Sequence, residues 1–535
     1  MNSVIDGHAA PGEDLSDFED VGLDRGGVEI TRDNPTVVVP GQHRDDQDED
    51  LEIGNDDFAT AVLASLPAGI LYKRFGVIGQ LVGDPGELRF AAIGDARVRL
   101  LVDEHVRLVK WVRPKTWPAP RRVYVNATRD MANLILEAAK RSDAVRELRT
   151  LANYPIYGPP GFNLAGAGWN PDGTYYDEPA SLRGLAIIDD PVAIHAALRD
   201  LVIDFPFSGE ASRENYFGEL LTPLIVKATE SNIPAHVHVA SLPRSGKTLL
   251  AAEVTGRIIT GKKLDPMVLS EREEEREKRF LGAMLACDPV NLVDNVSTQR
   301  EVLESPLISA LLTSRSLRSR LHYKNDTPAF ANDAMLILTG NNLRCTEELA
   351  KRSIPVQIQP LDAEPENRTV FVHDNISAYL TDVRPCIVGC ILGMIERWKA
   401  AGMPNHPAPL GGFEGWSHVV GGALRASGFT HWRENHQAWV RQANPQNEDL
   451  RVFVAAWWDK YSVEDKKLRP SELWAIAEEI GVYPEIAKDK TIAGRAVSFS
   501  RRVLRPHTNS PVDRWIIRAS GSGSTSLYYL EEIHL

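Results

Sequence analysis

The spacing of apolar residues changes along the chain, and each change predicts a different kind of structure. In residues 58–186, short β-like runs such as 69–72 and 98–102 alternate with a helical pattern, at 129–152. From 234 to 360, apolar runs of strand length alternate with helical patterns, which predicts a parallel α/β sheet. The predicted fold class is therefore α/β, with an α+β module in front of the sheet.

Residues 466–535 predict a compact unit of two helices followed by two strands. Ser471 is placed to cap the first helix, residues 491–504 have the period of a second helix, and apolar strands follow at 515–518 and 526–530. This order is that of a winged helix, and the segment carries more Lys and Arg than Asp and Glu. We expect it to contact DNA, whereas a winged helix that binds only proteins is the alternative. The predicted contacts are the outward-facing arginines of the second helix, Arg495, Arg501 and Arg502.

Charge is distributed very unevenly along the 535 residues. Residues 1–57 contain 17 Asp and Glu but only 3 Lys and Arg, so this segment accounts for the formal net charge of −13. Runs of like charge repel one another and stay disordered, which predicts an acidic disordered tail. The tail either keeps the protein in solution or acts as a DNA mimic or partner-docking segment. The remaining residues are nearly neutral, so the overall charge does not argue against a nucleic-acid partner.

Cysteine spacing and hydropathy exclude two classes of protein. The four cysteines have no C-x-x-C spacing, and no histidine is close enough to complete a zinc site. No signal peptide and no apolar stretch of 18 residues stands out, which predicts a cytoplasmic protein without a membrane partner.

The most specific chemical signal is the octet at 241–248, Ser-Leu-Pro-Arg-Ser-Gly-Lys-Thr. It follows a β-branched run and precedes a helical pattern, which is the context of a phosphate-binding P-loop. Backbone N–H groups of such a loop surround phosphate oxygens, while Lys247 reaches the β- and γ-phosphates and Thr248 binds Mg²⁺. The pattern normally opens with Gly, where this chain has Ser, and a coincidental turn is the alternative. The predicted cofactors are ATP and Mg²⁺, and the predicted nucleotide-binding residues are Ser241, Arg244, Ser245, Gly246, Lys247 and Thr248.

Two further apolar runs end in polar residues that suit nucleotide hydrolysis. One ends in Asp294, which would hold Mg²⁺ together with Thr248, as a Walker B strand does. The next residue, Asn295, stands where such hydrolases place an acidic base, and an amide cannot take a proton from water. Hydrolysis would then be slow or would use another carboxylate. The other run is followed by Asn341, an amide placed to orient the attacking water.

Basic residues after these strands predict roles beyond the phosphate site. Arg352 leads into an apolar strand and suits an arginine finger, which stabilises charge on the γ-phosphate across a subunit interface. An ordinary surface arginine is the alternative. Residues 315–324 combine basic side chains with an aromatic one, which favours a loop that tracks a DNA strand; a basic hairpin on the outside of the protein is the alternative. The predicted DNA-binding residues of this loop are Arg315, Arg318, Arg320, His322 and Lys324.

The even spacing of these motifs is typical of one ATPase family. Lys247, Asp294 and Asn341 are 47 residues apart, and Arg352 follows closely. This order resembles the AAA+ ATPases, specifically the superfamily 3 helicases and the primase-helicases of phages and mobile elements. Residues 412–429 also look like a C-terminal segment of the phage-type proteins. The resemblance implies an ATP-dependent DNA helicase or translocase that works as a hexameric ring. An ATP-gated initiator without processive unwinding is the alternative, and a regulatory or defence ATPase is a third.

The motifs and the composition together predict five regions. A segment rich in Pro and Gly, beginning at 404, sets one of the boundaries. The resemblance implies that ATP binds between subunits, that a pore loop grips single-stranded DNA, and that the last region holds duplex DNA. The regions are an acidic tail (1–57), an α+β module of unknown role (58–190), an AAA+ ATPase core (191–403), a helical domain (404–465) and a winged-helix-like DNA-binding domain (466–535).

Overall fold

Buried apolar side chains form three large clusters, which define an N-terminal, a central and a C-terminal unit. The fold is mixed α/β, with a parallel sheet and many helices, as the sequence predicts. The computed structural model describes residues 34–39, 54–112, 121–268, 270, 272–296, 303, 305–319, 329–341, 343, 345–360, 364–443, 445–462, 466–487, 491–512, 514–521 and 526–533.

The N-terminal unit packs three helices against two small sheets. Its elements are β1 (Thr36–Val38), α1 (Asn55–Ser65), β2 (Tyr72–Arg74), β3 (Val77–Val82), β4 (Arg89–Ala92), α2 (Asp95–His105), β5 (Arg107–Val112), β6 (Arg121–Val125), α3 (Arg129–Arg141) and β7 (Arg146–Glu147). The sheets have the strand orders β1-β5-β6 and β4-β3-β2-β7. The prediction of a disordered tail at 1–57 is wrong for β1, because Val37 and Val39 are buried in the core of this unit.

Two secondary-structure predictions in this unit are wrong. The run at 98–102 is part of helix α2, which buries Val98, Leu101 and Val102. This three- and four-residue spacing places the apolar side chains on one helical face. The helix predicted at 129–152 ends at Arg141, after which the chain enters short strands.

The short strands that follow pack against both units, because Leu151, Trp169 and Tyr175 cluster with Tyr72 of β2, whereas other side chains of the segment lie in the central core. They are β8 (Thr150–Ala152), β9 (Tyr157–Gly158), β10 (Asn163–Leu164), β11 (Gly168–Trp169) and β12 (Thr174–Tyr176), followed by a 3₁₀ turn, Ala180–Leu182. The turn predicted at 170–173 joins β11 to β12, which pair antiparallel. Because Ala152, Tyr157 and Leu182 are buried in the central core, the predicted module 58–190 is divided between two units.

A four-stranded parallel sheet forms the middle of the central unit. Its elements are α4 (Pro191–Leu201), α5 (Glu210–Thr229), β13 (Ala235–Ala240), a π-helical segment (Leu249–Thr255), α6 (Gly256–Thr260), α7 (Glu273–Ala286), β14 (Val290–Val293), α8 (Pro306–Thr313), β15 (Ser316–Arg318), β16 (Ala329–Ala331), β17 (Met335–Asn341), α9 (Glu347–Lys351), β18 (Ser353–Ile358), a 3₁₀ turn (Pro365–Asn367) and α10 (Ile376–Ala400). The strand order is β14-β17-β13-β18, and every neighbouring pair is parallel. The carboxyl ends of all four strands therefore meet at one edge, where open parallel sheets bind ligands.

A buried acid–histidine cluster joins three elements around the central strand. Glu219 on α5 lies 2.6 Å from Nε2 of His238 on β13, and the hydroxyl of Thr255 donates to the other carboxylate oxygen at 2.8 Å. Burial acts to raise the pKa of Glu219, but the charge of His238 and these hydrogen bonds outweigh it and lower the pKa. The cluster thus fixes β13 to the helical segment that follows the 241–248 loop.

Helix α10 corrects the expectation that the chain has no long apolar stretch. Within the described residues it alone is long and apolar enough to cross a membrane, with a mean hydropathy of 1.4 over 18 residues. However, 61% of that stretch is buried inside the protein. Arg384 in its middle donates to the carbonyl oxygens of Ile258 and Ile259, so the helix is a core element of the central unit.

The predicted helical domain 404–465 is divided between two units. Its helices are α11 (Glu414–Ala426), α12 (His436–Ala443) and α13 (Pro445–Tyr461). Trp416 on α11 and Trp439 on α12 pack in the central core, whereas Phe453 and Trp457 on α13 pack in the C-terminal core. The helices do not form a separate domain, because they bury their apolar faces against different partners.

The C-terminal unit has the predicted order of two helices followed by strands. After α13 its elements are α14 (Pro470–Glu479), α15 (Ile492–Phe499), a π-helical turn (Ser500–Leu504), β19 (Pro511–Val512), β20 (Trp515–Ser520) and β21 (Leu527–Glu532). The three strands form an antiparallel sheet in chain order. Helix α14 begins before the predicted cap Ser471, because the Glu472 carboxylate accepts a hydrogen bond from the backbone N–H of Arg469 at 2.7 Å.

Candidate functional site

The 241–248 loop leaves the carboxyl end of β13 and enters the helical segment Leu249–Thr255. Two of its residues have left-handed backbone conformations, Arg244 with φ +55° and Gly246 with φ +92°. Right- and left-handed residues in succession turn backbone N–H groups towards one point, which makes a concave site for anions. The N-terminus of the helical segment adds further free N–H groups at the same place.

Lys247 is 6% exposed and lies under this loop. Its ammonium donates hydrogen bonds to the carbonyl of Leu242 at 3.2 Å, the hydroxyl of Ser245 at 2.8 Å and the amide oxygen of Asn341 at 2.7 Å. Burial lowers the pKa of Lys247, whereas the charge of Asp294 acts to raise it. Because the three acceptors are uncharged, they position the ammonium without neutralising it, and an anion in the loop would take the place of one of them and compensate the charge.

Asp294 follows β14 and lies between two hydroxyl groups. Oγ1 of Thr248 donates to Oδ1 of Asp294 at 2.7 Å, and Thr339 on the adjacent strand β17 donates to the same oxygen. Sequence reasoning missed Thr339. Its signal was a hydroxyl at the polar end of an apolar run that was expected to lie beside Asp294.

The donor set fits Mg²⁺ and phosphate groups. Carboxylate and hydroxyl oxygens such as those of Asp294 and Thr248 are ligands that Mg²⁺ prefers, usually with water and phosphate oxygens in its other positions. Among the described residues, no group of three or more His, Cys, Asp and Glu side chains could hold a metal by itself. A metal at Asp294 would therefore depend on an incoming phosphate, as expected for a nucleotide site.

Asn295 has a positive φ of +53° directly after β14. Its backbone N–H donates to Oγ1 of Thr339 at 3.0 Å. Asn adopts the left-handed conformation more readily than most residues, whereas a longer side chain is strained there. The backbone geometry thus supplies a reason for Asn at this position that is independent of catalysis.

Arg352 lies at the opposite end of the sheet from the 241–248 loop. It precedes β18, and its carbonyl oxygen accepts a hydrogen bond from the N–H of Ala235, the first residue of β13, at 3.0 Å. The loop begins after Ala240, five residues further along, and a strand rises about 3.3 Å per residue. The side chain forms an ion pair with Glu348 at 2.6 Å. Arg352 therefore cannot reach a phosphate bound in the loop of its own chain.

A segment with exposed apolar side chains lies beside the loop, and sequence reasoning missed it. Nη1 of Arg244 is 3.6 Å from the carboxylate of Glu366. Asp204 accepts hydrogen bonds from the backbone of Val372 at 2.9 Å and from the side chain of Arg368, which also lies over the Phe371 ring at 4.5 Å. We call residues 366–373 the strap. Its signal in the sequence was Val-Phe-Val between charged residues, too short to predict a core element.

The basic hairpin predicted at 315–324 is described only in part. The guanidinium of Arg315 forms contacts within the protein. It donates hydrogen bonds to the carbonyls of Val226 and Ser231 and forms an ion pair with Asp333 at 2.9 Å. Its contact with DNA therefore stays a prediction. Arg318 is exposed at the end of β15, which pairs with β16. The other predicted residues, Arg320, His322 and Lys324, lie outside the described residues.

The three C-terminal arginines differ in their surroundings. Arg495 on α15 pairs with Glu478 on α14 at 2.7 Å, so its charge is compensated by a neighbouring carboxylate, and its contact with DNA stays a prediction. Arg501 and Arg502 lie in the following π-helical turn and are exposed.

Comparison with known proteins gives structural similarity only. No protein-family model and no curated protein matches the sequence. The C-terminal region of NrS-1 in its apo form is 10% identical, with a TM-score of 0.39, covering 82% of this chain and 100% of that one. SCCmec type IV Cch, an active helicase, is 9% identical, with a TM-score of 0.35 and coverages of 87% and 98%. JCV helicase is 15% identical, with a TM-score of 0.22 and coverages of 51% and 65%. These scores are too low to carry an argument about function.

Proposed function

We propose that this protein is an ATP-dependent DNA helicase or translocase that works as a homohexameric ring. The observation that carries the proposal is the convergence of Lys247, Asn341, Thr248 and Asp294 at the carboxyl edge of three adjacent parallel strands. An anion-binding loop alone would suit any phosphate ligand. A buried ammonium, an amide and a carboxylate–hydroxyl pair together suit the hydrolysis of a nucleoside triphosphate.

Each residue of the proposed site has a separate task. The N–H groups of the loop and Lys247 bind phosphate oxygens, and Thr248 and Asp294 hold Mg²⁺, which neutralises charge on the phosphates. The amide of Asn341 lies 2.7 Å from the Lys247 ammonium, which supports the proposal that it orients the attacking water beside the terminal phosphate. The exposed Phe371 ring of the strap and the neighbouring Arg368 would contact the nucleobase.

The DNA contacts belong to two other places. Arg318 and the rest of the 315–324 hairpin would grip a single strand in the pore of the ring. Arg501 and Arg502 in the C-terminal unit would hold duplex DNA, as a winged helix does. Such an ATPase belongs in the cytoplasm, and the sequence resemblance points to a phage or mobile element.

A strand-displacement assay separates this proposal from its alternative, an ATP-gated initiator that does not unwind processively. A helicase should displace a labelled strand from a forked duplex with ATP but not with a non-hydrolysable analogue. If the analogue supports the same DNA opening, or if ATP supports assembly on DNA without strand displacement, the protein acts as an ATP-gated initiator.

We expect that an acidic residue at 295 accelerates hydrolysis only if it tolerates the left-handed backbone. Asn295→Asp should raise ATP turnover by about a hundredfold, the lower end of the range that a general base contributes. Asn295→Glu should gain less, because the left-handed conformation of a longer residue costs about 1–2 kcal/mol. Steady-state phosphate release measures both. A wild-type protein that is already fast and is slowed by Asn295→Asp would show that another group is the base.

Duplex binding should depend on the exposed C-terminal arginines. Replacing Arg501 and Arg502 by Ala should weaken binding of a blunt duplex and reduce the slope of log affinity against log salt by about 0.9 for each lost phosphate contact. Arg495→Ala is the matched control, because its charge is compensated by Glu478. Unchanged affinity and slope in the double variant would leave the C-terminal unit as a protein-binding module.

A further inference from the structure

The turn between β2 and β3 carries an aromatic side chain out of the N-terminal unit. Arg74 pairs with Val77, so the loop between the two strands consists of Phe75 and Gly76 alone. Both have left-handed backbone conformations, with φ +50° and +74°. Such a turn favours Asn or Asp before Gly, and a bulky aromatic residue rarely adopts a positive φ. A residue held in this conformation indicates that its side chain has a role outside its own turn.

Phe75 packs against the central core, whereas Ile78, three residues later, is buried in the N-terminal core. The centroid of the Phe75 ring is 4.9 Å from that of Phe330 on β16, a fully buried side chain. Strand β16 pairs with β15, which ends in the exposed Arg318. The N-terminal unit therefore contacts the strands of the proposed DNA-binding hairpin through one aromatic ring.

Arg74, next to this ring, binds the end of helix α7. Its side chain is 4% exposed, and its Nε donates a hydrogen bond to the carbonyl oxygen of Met284 at 3.1 Å. Its Nη1 donates to the carbonyl oxygen of Leu148, also at 3.1 Å. Helix α7 ends at Ala286, so its last carbonyl oxygens have no partner within the helix. The guanidinium of Arg74 thus joins the end of a central-unit helix to strand β2.

Both contacts lie just before strands that lead to the proposed ATPase site. Residues 287–289 connect α7 to β14, which is followed by Asp294, and residues 332–334 connect β16 to β17, which ends at Asn341. Strands β14 and β17 are adjacent and parallel. The contacts of Arg74 and Phe75 therefore lie near the amino ends of both strands, and rigid strands can carry a displacement there to their carboxyl ends.

The joint between the two units is not packed as one continuous core. A small cavity lies there, lined by Thr150 and Tyr154 of the short strands and by Asp288 and Asp333, which precede β14 and β17. Oγ1 of Thr150 is buried and has no hydrogen-bond partner in the part of the chain that the structure describes. Protein cores are otherwise densely packed, so this gap leaves room for the joint to change its geometry.

We infer that Phe75 and Arg74 are positioning residues that couple DNA binding to ATP hydrolysis. They hold β15 and β16 and the amino ends of β14 and β17 in one arrangement. A DNA strand bound at Arg318 would then change the geometry at Asp294 and Asn341. The inference rests on the proposed function, and it gives the N-terminal unit a part in the ATPase cycle.

Phe75→Asn separates this role from a role in folding. Asn is favoured before Gly in such a turn, so the N-terminal unit should keep its fold, but the contact with Phe330 is lost. ATP turnover without DNA should be unchanged, whereas its stimulation by oligothymidylate should fall about fivefold or more, the lower end of the coupling between two sites. Phe75→Tyr should restore the stimulation. Leu100→Ala is the matched control, because it removes a 58% exposed apolar side chain from the same unit.

Hydrogen–deuterium exchange tests the contact without relying on turnover. Exchange at 283–286 and 329–334 should be faster in Phe75→Asn than in the wild type. A folded Phe75→Asn protein with normal stimulation, or one whose turnover falls equally with and without DNA, would overturn the inference. A wild-type protein without any turnover would contradict the proposed function and the coupling with it. The exchange at 329–334 would then decide alone whether Phe75 positions these strands, and unchanged exchange would show that it does not.

Discussion

Replacing Lys247 by Ala should remove most of the ATP affinity and nearly all turnover. The ammonium is buried and held by Leu242, Ser245 and Asn341, three neutral acceptors that orient it towards the loop. A hydrogen bond to a charged group contributes about 1.5–3 kcal/mol, which corresponds to roughly tenfold to a hundredfold in affinity. The loss in turnover should be larger, because charge accumulates on the phosphates in the transition state. Nucleotide binding by calorimetry and phosphate release measure the two effects.

Two variants distinguish the loss of charge from damage to the fold. Lys247→Met keeps the aliphatic stem and most of the buried volume, and it should lose ATP as Lys247→Ala does. Lys278→Ala removes an exposed lysine of α7, which lies 3.9 Å from Glu275, and it should behave as the unchanged protein. Undiminished ATP binding by a folded Lys247→Met protein would contradict the assignment of the loop as a phosphate site.

The geometry around Lys247 shows why its neighbours could be found from sequence. In a parallel sheet, the residue after each apolar strand lies at the same edge, so motifs distant in sequence come together without knowledge of strand order. Lys247 and Asn341 are 94 residues apart and Thr248 and Asp294 are 46 apart, yet each pair is joined by a hydrogen bond of 2.7 Å. The 241–248 motif and the apolar runs that end at Asp294 and Asn341 were therefore sufficient to predict that four side chains meet at one edge.

Other features depend on contacts that periodicity does not encode. An amphipathic pattern shows that a helix buries one face but not against which partner, and for this reason α13 was grouped with α11 although Phe453 packs in the C-terminal core. The strap is placed by Asp204, a residue more than 160 positions earlier in the chain. Short runs such as 98–102 are ambiguous between strand and helix until their neighbours are known.

The position of Arg352 leads to the other large expected effect. It lies at the amino ends of β13 and β18, whereas the phosphate loop lies at the carboxyl end of β13, so its own nucleotide is out of reach. If it serves hydrolysis, it must act on the nucleotide of a neighbouring subunit. Arg352→Ala should then leave ATP binding unchanged and lower turnover by about 10³-fold or more, as the loss of an arginine finger does.

Mixed assemblies test whether Arg352 acts in trans. Lys247→Ala subunits have an intact finger and Arg352→Ala subunits have an intact loop, so each is inactive alone, but a mixture should regain turnover at interfaces that combine both intact parts. Lys351→Ala is the matched control, because this exposed lysine next to Arg352 pairs with Glu347 at 2.7 Å and should be dispensable. Because the finger requires a neighbour, ATP should also promote assembly measured by light scattering. A monomer with full activity, or an Arg352→Ala protein with normal turnover, would leave Arg352 as a surface residue paired with Glu348 and would remove the main support for a ring.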